Sequence, residues 1–369
     1  MTSYALVQYT FKDLGIIFEI PYLQLIVLEA LCKIPPGKVT TYKDISTALG
    51  DGIASRAVGY IMKTNPLPDR YPCYKVLGSD GSLKGYSLGI EKKLSLLEME
   101  GIEVRHQRIT NVGKYLVDPS ELQIPPVLSS MKGVQELLAN KVSLTTERRD
   151  IRFVVTFDLS FLDGPPDIGI GVGCAFDLTD KKLLGVGISF VPTFIPYIPT
   201  YLAFRELPAV LVCLSAIKKH IPRIDALILD GQGILHPRGF GIASHVGVLT
   251  NIPSIGVAKS LLVGKILDTW IHKGKIRYTP IIHADKIAGF LVVQGRNKII
   301  VSPGHKFSPE DALEFVTRLD WPNNESEPLI IRLPHRIASR LRDYARKSAE
   351  QFKNDAKKQR SLQDFLINA

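Results

Sequence analysis

The stretch RFVVTFD, residues 152–158, is a β-rich run that ends in an acidic residue. Two further β-rich runs follow it, residues 169–176 and 183–190, and turn residues separate the three runs. This spacing predicts an antiparallel meander. Beyond the meander, helix and strand alternate in the order helix, strand, helix, strand over residues 200–219, 225–229, 240–250 and 254–258. A meander that passes into alternating strands and helices predicts a mixed sheet flanked by helices.

The part of the chain before this meander has a different pattern, in which helices predominate. Apolar side chains at helical spacing over residues 21–34 predict a first helix. Two short helices are predicted over 43–49 and 54–64, and the Gly-containing turn between them is typical of a helix-turn-helix. A further helix is predicted over 90–100, whereas residues 105–130 contain the Pro and Gly dipeptides of a connection. The sequence therefore predicts a multidomain α/β protein.

Length, charge and cysteine content limit the class of protein. With 369 residues, 45% of them hydrophobic, the chain is long enough for two domains with a core each. Its 46 Lys and Arg against 36 Asp and Glu give a net charge of +10, which favours a polyanionic partner such as nucleic acid or an anionic membrane surface. No apolar run approaches the roughly 20 residues of a membrane span, and no secretory leader is recognisable. The cysteines show no close pairing, which indicates a cytoplasmic protein without disulfides or a zinc site: Cys32, Cys73, Cys174 and Cys213.

Cys73 lies in the first of two groups of motifs. It follows a Pro-rich loop and belongs to PCYKV, residues 72–76. A cysteine thiolate is a strong nucleophile, so Cys73 is either a reactive group or a buried structural residue. Further motifs surround it: SRAVG at 55–59, Asn65-Pro66 and GYS at 85–87. Together these motifs resemble the O6-alkylguanine-DNA alkyltransferase family over about residues 21–104, which favours the reactive alternative.

The resemblance implies a winged helix-turn-helix domain in which Cys73 irreversibly takes an alkyl group from a guanine of damaged DNA. The guanine must leave the base stack, because a side chain cannot reach an atom inside it. The resemblance also implies supporting roles: Arg56 would fill the gap left by the flipped nucleotide, Tyr42 would press on the 3′ phosphate side and assist proton transfer, Asn65 would bridge the turn before Cys73, Val76 and Ser87 would contact the guanine, and Glu100 would end the proton relay.

Tyr74 and Lys75 depart from the family, which usually has Pro-Cys-His-Arg-Val at this place. A phenol has a pKa of about 10 against about 6.5 for imidazole, so Tyr74 is a poor base at neutral pH. Either Tyr74 relays a proton to Glu100 in a hydrogen-bonded chain, or transfer is slow. Non-catalytic relatives replace the cysteine itself, whereas this chain keeps Cys73. An active acceptor is therefore expected, with an inert lesion-sensing domain as the alternative.

Acidic residues mark the second group of motifs. Asp158 and Asp230 each end a β-run, and Glu206 lies on a predicted helix. Carboxylates that converge at strand ends offer the hard oxygen ligands that Mg²⁺ prefers. The acids belong to an ordered set of motifs: FDLSF at 157–161, PYIP at 196–199, FRE at 204–206, DGQG at 230–233, GVAKS at 256–260 and SPGH at 302–305. This set resembles endonuclease V over about residues 131–342.

The second resemblance implies a ribonuclease H-like domain that nicks DNA on the 3′ side of a deaminated base. Asp158 and Asp230 would hold Mg²⁺, with Mn²⁺ as a substitute. Glu206 and His305 would complete the catalytic group, and Lys259 would contact the region of the scissile phosphate.

The same resemblance implies a strand-separating wedge and a pocket for the rotated base. The wedge would consist of Pro196, Tyr197, Ile198 and Pro199. Its prolines stiffen the segment and its tyrosine offers a face for stacking, although an edge-strand core aromatic is the alternative for that tyrosine. Gly231, Gly233 and His236 would help to form the pocket. Glycines let the backbone approach a purine edge, and backbone groups can read the carbonyl and N–H of hypoxanthine.

These motifs predict an alkyltransferase-like domain, a linker, an endonuclease V domain and a basic tail, over residues 1–106, 107–130, 131–342 and 343–369. We expect a monomeric, cytoplasmic, bifunctional DNA-repair enzyme. One alternative is a nuclease tethered by an inert lesion sensor, and another is an endonuclease for inosine-containing RNA. The motifs do not rank hypoxanthine, uracil and xanthine as substrates.

The basic tail ends in a short motif of its own. Its spacing resembles the sliding-clamp-binding box of replication and repair proteins, and it consists of Gln359, Leu362, Phe365 and Leu366. Leu366 stands where a second aromatic residue is usual. The alternative is an amphipathic tail that folds back on the nuclease.

Overall fold

A computed structural model describes residues 6–146, 150–221, 223–322 and 327–367, with residues 352–367 described by their backbone alone. The N-terminal part consists of short strands and helices: β1 (Leu6–Phe11), β2 (Ile16–Pro21), α1 (Leu23–Leu31), β3 (Thr40–Thr41), α2 (Tyr42–Ala48), α3 (Ser55–Lys63), β4 (Val76–Leu77), α4 (Ile90–Met99), β5 (Val104–Arg105) and β6 (Arg108–Ile109). The sequence pattern predicted the helices of this part, with ends that differ by a few residues.

Side chains satisfy the first backbone N–H groups of α2 and of the 3-10 turn Gly52–Ala54 that precedes α3. Thr41 Oγ1 accepts from the N–H of Asp44 at 3.0 Å, and Asp51 Oδ1 accepts from the N–H of Ile53 at 3.1 Å in the turn between the helices. Such caps stabilise a helix by about 1 kcal/mol each. The inner faces of α2 and α3 join one buried cluster through Ile45 and Val58.

The C-terminal part contains the longer elements: α5 (Val127–Ala139), β7 (Phe153–Leu162), β8 (Asp167–Asp177), β9 (Lys182–Thr193), α6 (Leu202–Lys218), β10 (Ala226–Asp230), α7 (Ile242–Thr250), β11 (Ser254–Ala258), β12 (Lys265–Ile266), β13 (Ile271–Lys273), β14 (Ile276–His283), β15 (Lys286–Gln294), β16 (Asn297–His305), α8 (Pro309–Arg318) and α9 (Leu329–Ile367).

Among the described residues, ten strands form one sheet in the order β12-β14-β15-β16-β11-β10-β7-β8-β9, with β13 paired to β14. Strand β10 runs parallel to both β7 and β11, and the other pairs are antiparallel. The predicted meander β7–β9 and the predicted mixed sheet are therefore confirmed. The hairpins from β12 to β16 were not predicted.

Helices cover both faces of the sheet, because successive side chains of a strand point to opposite faces. Val155 and Leu227 join the cluster that contains α6 and α7, whereas Val154 and Ile228 join the cluster under α8. Central parallel strands of this kind are apolar along their whole length. The central strands thus hold their C-terminal ends rigidly.

Several elements cross the domain limits expected from the motifs. The β1–β2 hairpin packs on both parts of the chain: Ile20 is buried in the helix-turn-helix cluster, whereas Phe11 and Ile16 are buried in the cluster of α6. In the expected linker, Tyr115, Val117 and Leu122 are buried in the N-terminal clusters. The expected linker is therefore packed onto the first domain by these three apolar side chains.

Helices α5 and α9 each span an expected limit. Leu128, at the start of α5, is buried in the N-terminal core, and Gln135 on the same helix donates to the carbonyl of Phe240 at 3.2 Å. Helix α9 continues from the nuclease sheet to Ile367, so the expected tail continues that helix. No helix in the described part of the chain is long and apolar enough to span a membrane.

Candidate active sites

The acidic residues predicted for the metal meet where β7 and β10 lie side by side. Asp230 ends β10 as expected, whereas the expectation that Asp158 ends its β-run is wrong, because β7 continues past it to Leu162 and pairs with β8 over that length. These strands are parallel neighbours, and Leu229 of β10 pairs with Phe157 of β7. The next residue of each strand, Asp230 and Asp158, therefore stand side by side. Glu206 reaches the same place from α6 and is fully enclosed. The structure thus brings the three predicted carboxylates together.

Burial and mutual repulsion act on these carboxylates in the same direction. Burial first, and then the neighbouring Asp230, raise the pKa of Asp158 to about 8. The same two causes, with Asp158 added, raise the pKa of Glu206 well above its usual value. Lys259 offsets part of this repulsion, since its Nζ lies 2.8 Å from Asp230 Oδ2. A divalent cation would relieve the rest, so the donor set fits Mg²⁺.

His335 is a member of this group that the sequence reasoning missed. Its Nδ1 lies 2.9 Å from Asp158 Oδ2, and ligand atoms of Asp158, Asp230 and His335 all lie within 4.8 Å of one another. The histidine is on the first turns of α9, in a basic segment. No local motif marks it, because the fold alone brings α9 against β7 at Asp158.

The strand register places His305 apart from the three carboxylates with which it was predicted to act. In the register of the sheet, His305 pairs with Ser254, and Ser254 pairs with Leu227. Leu227 lies three residues before Asp230, which is about 10 Å along a strand. His305 is buried, and its Nδ1 accepts from the N–H of Ser143 at 3.2 Å. It anchors the segment that leads into β7, away from the carboxylates.

A cleft of about 240 Å³ adjoins the acidic group. Its wall includes Asp230, Gly231, His236, Lys259 and Tyr197. The size and position of this cleft suit a single rotated base next to the phosphate chemistry.

His236 is a neutral part of that wall. Its Nδ1 accepts from the N–H of Arg238 at 3.2 Å, so its Nε2 carries the proton and donates to the carbonyl of Thr200 at 2.9 Å. Burial, and then the charge of Arg238, lower the pKa of His236 to about 4. At neutral pH it is therefore a fixed hydrogen-bonding group.

The two pocket glycines are required mainly by protein packing. Gly231 has a φ of +149°, and a Cβ there would lie 2.6 Å from Ile242 Cγ2. A Cβ on Gly233 would lie 2.0 Å from the carbonyl oxygen of Pro303. Gly233 thus lies against β16, behind the wall of the cleft. Gly233 was expected to make room for a purine. In the structure it instead makes room for the backbone of Pro303.

Of the predicted wedge, one side chain is presented to solvent. Tyr197 is 62% exposed, whereas Ile198 is 1% exposed and Pro196 is buried; Pro199 is half-buried. The alternative that Tyr197 is a core aromatic is therefore wrong. The segment therefore presents the ring of Tyr197 to solvent, while its neighbours Pro196 and Ile198 are buried.

Cys73 opens a 3-10 helix, Cys73–Lys75, and is 3% exposed. Its Sγ accepts from Asn65 Nδ2 at 3.1 Å, and the same Nδ2 donates to the carbonyl of Tyr71 at 2.9 Å. Asn65 Oδ1 accepts from the N–H of Leu67 at 3.0 Å. Asn65 therefore links both sides of the loop before the thiol. Burial raises the pKa of Cys73, and the hydrogen bond from Asn65 opposes that shift.

Lys93 is a second residue that the sequence reasoning missed. It is fully buried on α4, and its Nζ donates to the carbonyl of Val76 at 2.7 Å. Burial lowers the pKa of Lys93 to about 8, while the charge of Cys73 opposes this shift. A buried cation near the thiol stabilises the thiolate. In the sequence, Lys93 looks like any lysine of an amphipathic helix.

Tyr74 and Lys75 both bind Glu100. Tyr74 Oη donates to Glu100 Oε1 at 2.6 Å, and Lys75 Nζ donates to Glu100 Oε2 at 2.8 Å, next to the N–H of Gly37 at 2.9 Å. Burial raises the pKa of Glu100, but the hydrogen bonds from Lys75, Tyr74 and Gly37 outweigh burial and hold this pKa below its usual value. Burial, and then the bond to Glu100, raise the pKa of Tyr74.

The remaining residues predicted for the alkyl-transfer site differ in exposure. Tyr42 is half-buried, and the charge of Cys73, after burial, raises its pKa. Arg56 on α3 and Ser87 in the loop before α4 are exposed. The side chain of Val76 is fully buried in the core, which leaves its backbone atoms to meet a base.

Comparison with known proteins matches two parts of the chain to two family models. Residues 136–336 match the family model of endonuclease V, and residues 23–102 match that of the 6-O-methylguanine DNA methyltransferase DNA-binding domain. A bifunctional methyltransferase/endonuclease of Picrophilus torridus is 36% identical over 307 residues, which cover 83% of this chain and 92% of that protein. One from Thermoplasma volcanium is 29% identical over 310 residues, covering 83% and 86%. The endonuclease V structure from Streptomyces avermitilis has a TM-score of 0.52 at 27% identity, covering 59% of this chain and 93% of that one.

The fold and the two sites define a chain that joins an endonuclease V domain to a methylguanine methyltransferase DNA-binding domain. The matches extend over both parts together. The chain therefore belongs to the bifunctional methyltransferase/endonuclease family.

Proposed function

We propose that this protein repairs DNA in two ways, by transferring an alkyl group from O6-alkylguanine to Cys73 and by nicking DNA on the 3′ side of deaminated bases. The nuclease would be a ribonuclease H-like domain and the transferase a winged helix-turn-helix domain. The observation that carries the proposal is the convergence of Asp158, Glu206, Asp230 and His335 beside a base-sized cleft.

In the nuclease, each described side chain has a definite task. Asp158 and Asp230, joined by His335, would hold Mg²⁺, with Mn²⁺ as a substitute. A bound divalent cation supplies charge neutralisation at the phosphate and an activated water. Lys259 sits at the mouth of the cleft beside Asp230, where its ammonium meets the scissile phosphate. Tyr197 stacks on the neighbouring base, and the cleft takes the rotated one.

Hypoxanthine is the base that this cleft suits best. The cleft is lined by the neutral His236, by Gly231, whose atoms are all backbone, and by Gln232. Fixed, uncharged donors and acceptors can distinguish a carbonyl and N–H from an amino group and a bare ring nitrogen. Uracil and xanthine carry the same carbonyl and N–H pair and are the next candidates.

In the transferase, Cys73 Sγ attacks the alkyl carbon, so that an S–C bond forms as the bond between that carbon and O6 breaks. The guanine leaves with a proton supplied through Tyr42, and the thiol proton passes to the surrounding relay. Asn65 and Lys93 favour the thiolate, and Tyr74 with Glu100 forms the outer part of the relay. Arg56 would occupy the vacated base stack.

The partner is damaged DNA, to which the charge of +10 is suited. A second partner is a sliding clamp, bound by Gln359, Leu362, Phe365 and Leu366; the side chains of these four lie outside the described residues. We also propose that the protein works as a monomer in the cytoplasm.

Product mapping tests the proposal. Duplexes that carry hypoxanthine, uracil or xanthine at one position, and an RNA strand with inosine, would be incubated with Mg²⁺ and the nicks mapped. The same preparation would be incubated with O6-methylguanine DNA and the Cys73 peptide weighed. We expect a nick 3′ to hypoxanthine in DNA and one added methyl mass. Cleavage of the RNA alone, or an unmodified Cys73, contradicts the corresponding half of the proposal.

A further inference from the structure

The segment that presents Tyr197 is built against the other domain. Ile195, Ile198 and Tyr201 are each at most 1% exposed, and all three belong to the buried cluster of the helix-turn-helix. Ala57 and Val58 of α3 are part of the same cluster. The nuclease wedge therefore rests on the core of the methyltransferase domain, whereas Tyr197 points to solvent.

One hydrogen bond fixes the far end of this segment. Tyr201 Oη donates to Asp51 Oδ2 at 2.8 Å, and Asp51 is the residue that caps the turn before α3. The ring of Tyr201 is fully buried, and burial followed by this bond raises its pKa. Tyr201 is therefore the donor of this hydrogen bond at neutral pH.

A buried network fixes the near end. Tyr60 on α3 donates its Oη proton to Asp167 Oδ1 at 2.5 Å, and Asp167 Oδ2 pairs with Arg205 at 2.8 Å. Arg205 also donates to the carbonyl of Ile195 at 2.9 Å, and its guanidinium lies 4.1 Å from the ring centre of Phe161. The side chains of Arg205 and Asp167 are 8% and 5% exposed, so this ion pair is screened little by solvent.

These contacts join three functional parts of the molecule. Tyr60 lies one helical turn after Arg56 on α3, and Arg205 directly precedes Glu206. The chain of bonds therefore leads from the DNA-facing helix of one domain, through Asp167, to the wedge and to the acidic group of the other.

We propose that the helix-turn-helix of the methyltransferase domain supports the nuclease wedge, and that Tyr60 and Tyr201 are positioning residues for strand separation. The inference rests on the proposed nuclease function. A ring that enters a base stack must resist the unstacking energy, a few kcal/mol per step, and a site is held in place only by a rigid supporting shell. The support is needed where strands must be parted, and it is dispensable where they are already apart.

The test compares Tyr60→Phe, Tyr201→Phe and the double variant on three substrates of one sequence: an inosine duplex, an inosine duplex with a mismatched bubble, and the inosine strand alone. We expect the double variant to nick the duplex about tenfold more slowly, with most of the loss in kcat, while the bubble and the single strand are nicked at the wild-type rate. Transfer of a methyl group to Cys73 serves as the check that the N-terminal domain is folded.

A matched control is Tyr9→Phe. Tyr9 Oη also bonds across the molecule, to the carbonyl of Pro192 at 3.3 Å, but from the β1–β2 hairpin. This variant should nick all three substrates normally. An equal loss on all three substrates in the double variant, or no loss on the duplex, would overturn the inference. A wild-type protein that nicks no inosine substrate would overturn the proposed function, and this inference with it.

Discussion

The two reactive centres of this chain use burial in opposite ways. Around Cys73, the buried Lys93 favours the negative form of a single nucleophile. Where β7 and β10 lie side by side, burial gathers several carboxylates whose repulsion favours a bound cation. The positive charge that balances the first centre is a side chain of the same domain, whereas the second centre would take its positive charge as a metal ion from solution. We therefore expect alkyl transfer to be independent of metal and nicking to depend on it.

The largest expected effect separates the two centres completely. Asp158→Ala and Asp230→Ala should each lower nicking of inosine DNA by at least about a thousandfold, because each removes a ligand of the metal. Methyl transfer should stay normal, since the centres lie in different domains. Gel assays of nicking and mass measurement of Cys73 check both halves. Normal cleavage by either variant would remove the metal assignment.

The reciprocal change is Cys73→Ser. This variant should lose methyl transfer entirely, since a serine hydroxyl stays protonated near neutral pH. DNA binding and inosine nicking should persist. Transfer would be followed with labelled O6-methylguanine DNA and nicking with inosine DNA. Residual labelling of the variant would mean that another residue is the acceptor.

A pair of histidine variants sharpens the description of the acidic centre. His335→Ala should lower nicking about a hundredfold or more, because His335 contacts Asp158. His305→Ala should affect thermal stability more than nicking, because His305 holds the segment at Ser143. Nicking rates on inosine DNA and melting temperatures, measured for both variants, distinguish a catalytic histidine from a structural one. The opposite order of nicking rates would restore His305 to the catalytic group.

Lys93→Met probes the cationic centre. We expect methyl transfer at pH 7 to slow about tenfold and its pH–rate profile to shift upward, because the thiolate loses its buried cation.

The same variant has a predicted effect on stability. Lys93 has a folded-state pKa of about 8, lowered by burial from 10.5. Below pH 8 the charge is present in both states and its burial costs stability, and from 8 to 10.5 stability rises with pH as the folded state alone is neutral. Lys93→Met should therefore raise the free energy of unfolding at pH 7 by about 3 kcal/mol. That gain should vanish above pH 10.5. Urea unfolding of the variant and the wild type at pH 7 and above pH 10.5 checks the direction of this change. An equal gain in the free energy of unfolding at both pH values would exclude a buried charge on Lys93.

The smallest expected effect is that of Tyr74→His. An imidazole at this position should speed methyl transfer a few-fold if a missing base limits thiolate formation. Because Tyr74 already donates to Glu100 at 2.6 Å, an unchanged or lower rate would show that the tyrosine belongs to a different relay. Single-turnover rates on O6-methylguanine DNA distinguish the two results.

Local patterns predicted most elements, and long-range packing explains the failures. Periodicity identified α1–α4 and the β7–β9 meander, since both depend on neighbouring residues. The strand-end position of Asp230 followed from the same pattern, whereas Asp158 lies within β7, because pairing with β8 extends that strand to Leu162. His335 was missed, because only the course of α9 brings this histidine to the acids.

Burial against a second domain could not be read from the motifs either. Ile198 and Pro196 have the sequence of an exposed wedge, but both are buried, Ile198 in the cluster of the helix-turn-helix. The apolar character of the β1–β2 hairpin gave no indication that it packs on α6 as well as on the helix-turn-helix. Neither contact involves residues that are close in sequence.

Removal of divalent metal tests the difference between the two centres most directly. One preparation of the wild-type protein would be treated with EDTA and divided between inosine DNA and O6-methylguanine DNA, before and after Mg²⁺ is restored. We predict that nicking disappears with EDTA and returns with Mg²⁺, while methyl transfer to Cys73 keeps the same rate throughout. Nicking that persists in EDTA, or methyl transfer that falls with it, would contradict the account.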